Sequence, residues 1–596
     1  MWRQPNIPAP NRQQTFSLKT FTGGLNNFAT SPEQNCATDI LNMEFRDEHA
    51  MAKRFGTTRA DTTDMPYPIT HLNTYRPYTD TDVPVRADKE RILIGTHEKA
   101  VTRTDGMEAL VEGVNYMGMY FYVYGEDIYV HAKGQAASTY VQVVGTPDTE
   151  SRTWKIDAPP TTAVPLGTEH QQGVRIYNYN SSTISYVPCQ NELEDASKGA
   201  NVPPAYTSYI VTHKNRLFLS GNRRDDDNVF ISDALNPFYF PVSLPIQIPP
   251  NSEEVVGMAI YDDGVVVSRT TDMYAITGDT NNKELGYELF KLRRLNTHVG
   301  FMNNRVAHFA HNYLFYLGAD KKVYALSSVR SADKVLVTSV ISNKLDLTAA
   351  PLAFTDAELK ASVGVFHENM YYLSIGTRIL VYSYLHTAWT VFDNLQVTSF
   401  ERRGTALYMG DSEGHVVQFD KTTYLDKGKP FKARWASTWF DMGDTLSFKH
   451  FKEFIVLGQA YKDSSSDVRV GFEIDYAEQR HIYTVENKMS VWGVSAFGDR
   501  FITKHMNESY PLHIGARGRV IRITLENSYV ETGKVQKLDE LHVMTRMRDD
   551  DLVYVIDEKT WYLYRDLEFH GVNANEFNQP MSVLQISGDF EFRTKR

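Results

Sequence analysis

The chain has 596 residues, with 62 Lys plus Arg against 73 Asp plus Glu and a formal net charge of -11 at pH 7. That length exceeds what one hydrophobic core supports and suggests about three or four domains. The acid surplus, with no dense basic stretch, excludes a dedicated nucleic-acid binder, whose affinity comes from cations that displace counterions, but it is compatible with DNA passing by without sticking.

Residues 1–65 carry few periodic strands and many polar, Pro and Gly punctuators, which predicts an extended arm lying on something else. Met1-Trp2-Arg3-Gln4-Pro5-Asn6 does not read as a secretory signal. The arm contains three distinctive phrases: Phe21-Thr22-Gly23-Gly24-Leu25-Asn26, Asp39-Ile40-Leu41-Asn42-Met43-Glu44-Phe45 and Lys53-Arg54-Phe55-Gly56-Thr57. Gly23-Gly24 and Gly56 permit backbone angles closed to other residues, so locally these phrases are turns flanking a strand.

Residues 66–145 read as a β-rich platform or a first propeller blade. From Asn115 to Asp420 one phrase keeps returning: an alternating apolar and aromatic run, a polar turn, then a second alternating run. It reads Met117-Gly118-Met119-Tyr120-Phe121-Tyr122-Val123-Tyr124 before Ile128-Tyr129-Val130. Five more copies begin near Asn215, Gly264, Tyr313, Met370 and Ala406. Alternation at period two gives each hairpin an apolar face that something must cover. From the second copy the phrases recur at roughly 40 to 55 residues, the length of a four-stranded propeller blade. The fold class expected is therefore all-β, with blades over 205–430. A large sandwich with look-alike hairpins is the alternative.

The first copy stands apart from the rest because 146–204 intervenes. Pro159-Pro160 and Pro203-Pro204 bracket this loop-rich segment, and Glu192-Leu193-Glu194-Asp195 reads as exposed loop or short helix. After Lys427-Gly428-Lys429-Pro430 the strands lengthen. In Ile521-Arg522-Ile523-Thr524-Leu525-Glu526, apolar and polar side chains alternate cleanly, as in a sheet with one wet face, so 431–546 is expected to be a β-sandwich. Residues 547–596 supply further strands that could close the propeller or dock on a neighbour. No apolar run approaches the ~20 residues of a membrane helix. The only cysteines, Cys36 and Cys189, make no disulfide framework.

Catalytic patterns are thin. There is no His-Glu-x-x-His helix, phosphate loop, Gly-x-Ser-x-Gly elbow or Cys-x-x-Cys pair, so no cofactor, metal or catalytic residue is expected. Asp225-Asp226-Asp227-Asn228 lacks the spaced ligands of a calcium loop and reads as a hairpin turn. Glycan hydrolysis is the enzymatic rival, because propellers host paired carboxylates around their channel. Asp262, Asp263, Asp320, Asp411 and Glu413 are its candidates, although all lie at hairpin turns. A cellular interaction propeller is a third reading, but no blade ends in Trp-Asp.

The ordered set Gly23, Gly24, Leu25, Asn26, Asn42, Phe45, Arg54 and Gly56 resembles the opening of a family of phage virion proteins typified by the tail nozzle, or tail tubular B, proteins of short-tailed phages. Ala50 stands where that family often has glycine, and Phe55 where proline is frequent. The propeller phrases Asn228-Val229-Phe230-Ile231-Ser232-Asp233 and Tyr384-Leu385-His386-Thr387-Ala388-Trp389 look like the core of the same family. Trp389 reads as a packing residue before a sugar platform. The resemblance implies a structural, non-enzymatic component of the virion tail, assembled in the host cytoplasm. As a hexameric ring or nozzle it would continue the DNA channel, retain the genome and release it at ejection. A head-to-tail adaptor would lie above it, and 146–204 would dock tail fibres. A glycan-binding or glycan-hydrolysing tail protein is the alternative.

Overall fold

All six hairpin phrases pair antiparallel: Met119–Tyr124 with Asp127–Ala132, Arg216–Ser220 with Asn228–Ile231, Gly264–Ser268 with Met273–Thr277, Tyr313–Leu317 with Val323–Ser328, Met370–Ile375 with Arg378–Ser383, and Ala406–Asp411 with Val416–Asp420. The computed structural model describes most of residues 13–132, 207–476 and 507–527. Beyond these it describes short strands at Thr139–Tyr140, Thr146–Pro147, Trp154–Lys155, Gly173–Asn178, Thr183–Pro188, Arg480–Asn487, Leu552–Val555, Thr560–Leu563 and Ser582–Arg593. The chain forms two units: a propeller unit, Arg59–Tyr384 with Leu395–Gln418, and a sandwich unit, Met1–Thr58 with Leu385–Asn394 and Phe419–Arg596.

In the propeller unit each hairpin follows an innermost strand, these being Val111–Tyr116, Tyr209–His213, Gly257–Tyr261, His308–Ala310, Val363–His367 and Val397–Arg403. A further sheet, His71–Tyr75, Val83–Ala87, Arg91–Ile94 and His97–Ala100, precedes them all. Each innermost strand packs beside the next, and Val397–Arg403 comes back to His71–Tyr75. The ring thus closes as a seven-bladed propeller. The closure is bonded: the hydroxyls of Thr398 and Ser399 each donate to Ile69 O (2.7 Å), and that of Thr74 donates to Glu401 Oε1.

The alternation explains the packing. On the second blade Tyr120, Tyr122 and Tyr129 face the first blade and pack with Tyr75, Val85 and Ile92. Their neighbours in sequence, Phe121, Val123 and Val130, face the third blade and pack with Ile210, Leu217 and Leu219. Phe218 then turns to the fourth blade with Val265 and Val267, and Val266 to the fifth with Leu314 and Tyr316. These hairpin strands therefore bury both faces, which one hairpin alone cannot do. The isolated first hairpin is a member of this ring as its second blade, with the 146–204 insertion between it and the third.

The sandwich unit has two sheets. One runs Ala37–Leu41, Arg434–Ser437, Ile521–Asn527, Ser466–Ile474, Arg480–Asn487; the other runs Met43–Phe45, Met51–Lys53, Ser582–Arg593, Phe448–Gln459, Asn507–Gly518, with Gln13–Leu18 also on Ser582–Arg593. Phe454 of one sheet meets Phe472 of the other, ring centroids 4.8 Å apart. Ile521, Ile523 and Leu525 are buried as the alternation implies, but the other face is not wet: Thr524 is buried too, and Arg522 and Glu526 are half-buried in ion pairs with Glu473 and Arg434. Two expectations change here. Strands of the arm are members of both sheets of their own chain, because their backbone N–H and C=O groups need ladder partners and find them there. The C-terminal strand Ser582–Arg593 lies inside the sandwich, bonded to Phe448–Gln459, and does not close the propeller. Arg548-Asp549-Asp550-Asp551, Asp225-Asp226, Glu192–Asp195 and most of the 146–204 insertion lie outside the described residues.

Candidate functional site: the arm junction and the propeller channel

The nine residues singled out for their resemblance all fall in the sandwich unit, where the arm meets Leu385–Asn394 and the chain after Phe419. Gly24 has φ +68°, and a Cβ there would stand 2.7 Å from Trp389 N, so glycine is required twice over. Its neighbour Leu25 donates its N–H to Trp389 O (2.8 Å), and Trp389 is itself buried, with no exposed ring face. Gly23 packs against the Asn35 carbonyl, and Asn26 donates its N–H to Ala37 O (2.8 Å). Phe45 lies 5.1 Å from the His386 ring. Gly56 N donates to Thr423 O (2.7 Å), and a Cβ there would come within 2.1 Å of Leu425 O.

Arg54 is the centre. It is fully buried, and all five of its N–H donors are used. Nε donates to Asn42 Oδ1 (2.9 Å), Nη1 to Phe55 O (3.0 Å) and Asp426 Oδ1 (2.9 Å), and Nη2 to Asp393 O (3.1 Å) and Asp426 Oδ2 (2.5 Å). The guanidinium also stacks on Phe431 at 3.9 Å. Asn42, in the left-handed region at φ 54°, donates from its backbone to Val391 O (2.7 Å) and from its side chain to Lys432 O (2.6 Å). Beside them Lys53 is also buried. Burial, and then the Arg54 charge, push its ammonium down to about 7, partly opposed by Asp426. Asp426 and Asp393 have no local sequence signal: Asp426 is 372 positions from Arg54, whereas Lys53 lies in the same phrase as Arg54.

The innermost strands of the propeller unit enclose a channel cavity of about 490 Å³ near their N-terminal ends, lined among others by His71, Glu112, Ile260, Arg305, His308 and Phe400. The short helical turn Asn304–Val306 reaches into it: Asn304 Oδ1 accepts Met258 N (2.7 Å), Arg305 Nη1 donates to Thr70 O (3.2 Å), and Tyr371 OH donates to Val306 O (2.6 Å). Burial, and then nearby Arg305, hold His71 down to about 4. Burial, and then Arg402, do the same to His308. Burial raises the Glu112 carboxyl to about 6, against the opposing pull of an Asn304 hydrogen bond and Arg305. None of these residues stood out in the sequence, since they come from several strands and the Asn304–Val306 turn. The usable signal was their place just before each repeated hairpin.

The five carboxylates proposed for glycan hydrolysis are not lining residues of this cavity. Asp263 pairs with Lys214 (2.7 Å) and Asp262 sits at φ 48° in a turn. Asp320 accepts from Tyr324 OH (2.6 Å) two blades away from Asp411 and Glu413. Those last two flank His415, at 3.4 and 3.3 Å from its Nδ1, and the three offer ligand atoms within 4.8 Å of one another. Asp411 Oδ1 accepts the backbone N–H of Glu413 (3.0 Å) and His415 (2.7 Å), the bonding of a tight turn. Asp227, the described part of the Asp run, pairs with Arg269.

No family model matches the chain, and no curated protein matches it. Among solved structures it is similar to the computationally designed Ika8 protein (12% identity, TM-score 0.30, 62% of this chain and 99% of that one). It is also similar to a S. cerevisiae complex of dbp5 with nup159 and gle1 (9%, 0.34, 64% and 99%) and to the N-terminal domain of Nup159 (7%, 0.34, 64% and 99%). Likeness this distant says nothing of what the present chain binds or does.

Proposed function

We propose that this chain is a structural component of a phage virion tail. It would form a ring or nozzle of identical subunits that continues the DNA channel, retains the genome and lets it pass during ejection. The observation that supports the reading is the arm junction. Residues spread from Gly23 to Gly56, together with Trp389, are bonded or packed into one buried region, which supports reading them as one structural unit. A fully bonded, charge-paired junction holds one geometry, which suits a wall that must keep its shape under load. The net charge of -11 is compatible with DNA passing by without binding.

In this reading the subunits make a hexamer, a head-to-tail adaptor lies above it, and the 146–204 insertion is the docking place for tail fibres. Removal of residues 1–60 is a poor test, because it deletes strands of both sandwich sheets. The direct test is composition. Particles of the phage encoding this chain, purified by density gradient and labelled with gold-conjugated antibody, should carry the label at the tail. Particles without the chain would refute the proposal.

A further inference from the structure

The arm junction leaves the propeller channel without a role, although it is the cavity where polar groups from several blades converge. Its walls are of two kinds. Ile260 and Phe309, each 39% exposed on neighbouring innermost strands, and Phe400 from the last blade present apolar surface to the cavity. Arg305 and Asn304, on the inserted turn, supply the polar end, with Arg402 close enough to His308 to bear on its charge. Exposed apolar side chains inside a concave, partly polar cavity are what a small amphipathic molecule would cover. The volume lies within the usual range for small-molecule pockets, about 300 to 1,000 Å³.

The sign of the ligand follows from the charges that persist at neutral pH. His71 and His308 are neutral there and contribute no charge to either sign of ligand, which leaves Arg305 as the fixed charge on the cavity wall. The guanidinium of Arg305 is always protonated and forks toward carboxylates. The opposing group is Glu112, whose surroundings are Arg305 and Asn304 on the inserted turn, His71 and Tyr120 from the first two blades, and Tyr209 from the third. Of these, Glu112 alone gains or loses charge between pH 5 and 8, so its protonation sets how positive the cavity is.

We infer that the propeller channel is a binding site for a small organic acid, its carboxylate held at Arg305 and its apolar body on Ile260, Phe309 and Phe400. The site fills more readily when Glu112 carries a proton. This inference does not depend on the tail reading and would survive its failure.

The test is calorimetric titration of the full chain with 2-naphthoate, beside neutral 2-naphthamide, at pH 5.5 and 7.5. The acid should bind at least tenfold tighter than the amide at pH 5.5, and more weakly at pH 7.5. Glu112→Gln should remove most of that pH dependence. Arg305→Gln should weaken the acid about tenfold and leave the amide nearly unchanged. Should Arg305→Gln fail to fold, Ile260→Glu reads the same site from an exposed position and should abolish binding of the acid. Leu446→Ala, at an exposed residue of the other unit, should change nothing. Equal affinity for acid and amide, no binding of the acid at millimolar concentration, or binding untouched by Ile260→Glu would each overturn the assignment.

Discussion

Arg54→Met and Asp426→Asn, singly and together, probe the arm junction by a double-mutant cycle. Removing Arg54 strands a carboxylate that is 1% exposed, which keeps hydrogen bonds from Thr57 Oγ1 (3.1 Å) and Asn394 Nδ2 (3.3 Å), with Lys53 alongside. Breaking one side of a buried pair costs about 3 to 5 kcal/mol. The two variants should not cost the same. Without Arg54, the repulsion that helps hold the Lys53 ammonium down is gone, so Lys53 can charge and take over as partner for Asp426. Without the Asp426 charge, the buried Arg54 guanidinium loses its paired carboxylate, and Lys53, held lower still, gives up its proton and cannot help. Arg54→Met is therefore expected near the lower figure and Asp426→Asn near the upper, with the double variant at least ~2 kcal/mol cheaper than the sum. Urea unfolding followed by tryptophan fluorescence reads this unit well, since Trp389 and Trp435 are both buried in it. Costs that add within about 0.5 kcal/mol, or Arg54→Met costing more than Asp426→Asn, would refute the charge-sharing argument.

Gly56→Ala should prevent stable folding of the sandwich unit, or cost more than ~3 kcal/mol, because its Cβ has only backbone to displace, whereas Gly428→Ala, with open space around a φ of +80°, should cost about 1 kcal/mol; thermal melts compare the two. Acid should loosen the propeller unit. His71, His131 and His308 are each held near 4, below their ordinary value of 6.5, so the unfolded chain takes up protons first and stability falls as pH drops through that window, by at most about 3 kcal/mol per histidine. His308→Gln should flatten the fall, and an unchanged slope in melts between pH 7 and 4.5 would contradict this. Glu112 has the opposite sign. Its carboxyl, raised to about 6 from 4.5, favours folding less as pH rises through that interval, so Glu112→Gln should stabilise by up to about 2 kcal/mol at pH 7.5 and by little at pH 4.5.

The hairpins were legible because period-two alternation is a local signal, and each strand that carries it buries both faces between blades. Residues 66–145 read as one platform or blade where the structure has two; the first of them showed no hairpin phrase because Val83–Ala87 is short and carries Pro84, a poor strand former, and the strands after it begin on polar Arg91 and His97. The phrases around Gly24 and Gly56 were legible as turns and the Asn42 phrase as the strand between them; positive φ at Gly24 and Asn42, and close approach at Gly24 and Gly56, explain the residue types. Their partners were not. Arg54 meets Asp426, and Leu25 meets Trp389, across hundreds of positions, and nothing in a buried carboxylate's own neighbourhood announces a distant guanidinium. The channel was hidden for the same reason. A cavity assembled from one to three residues on each of seven strands and a short turn has no motif, only a common position ahead of each hairpin.

Electron imaging of the purified chain, with its mass measured under native conditions, tests the architectural claim most directly. The account predicts a closed hexameric ring with an open bore, of one size across a range of protein concentrations. A protein that stays monomeric at every concentration, or forms open filaments of indefinite length, would contradict it.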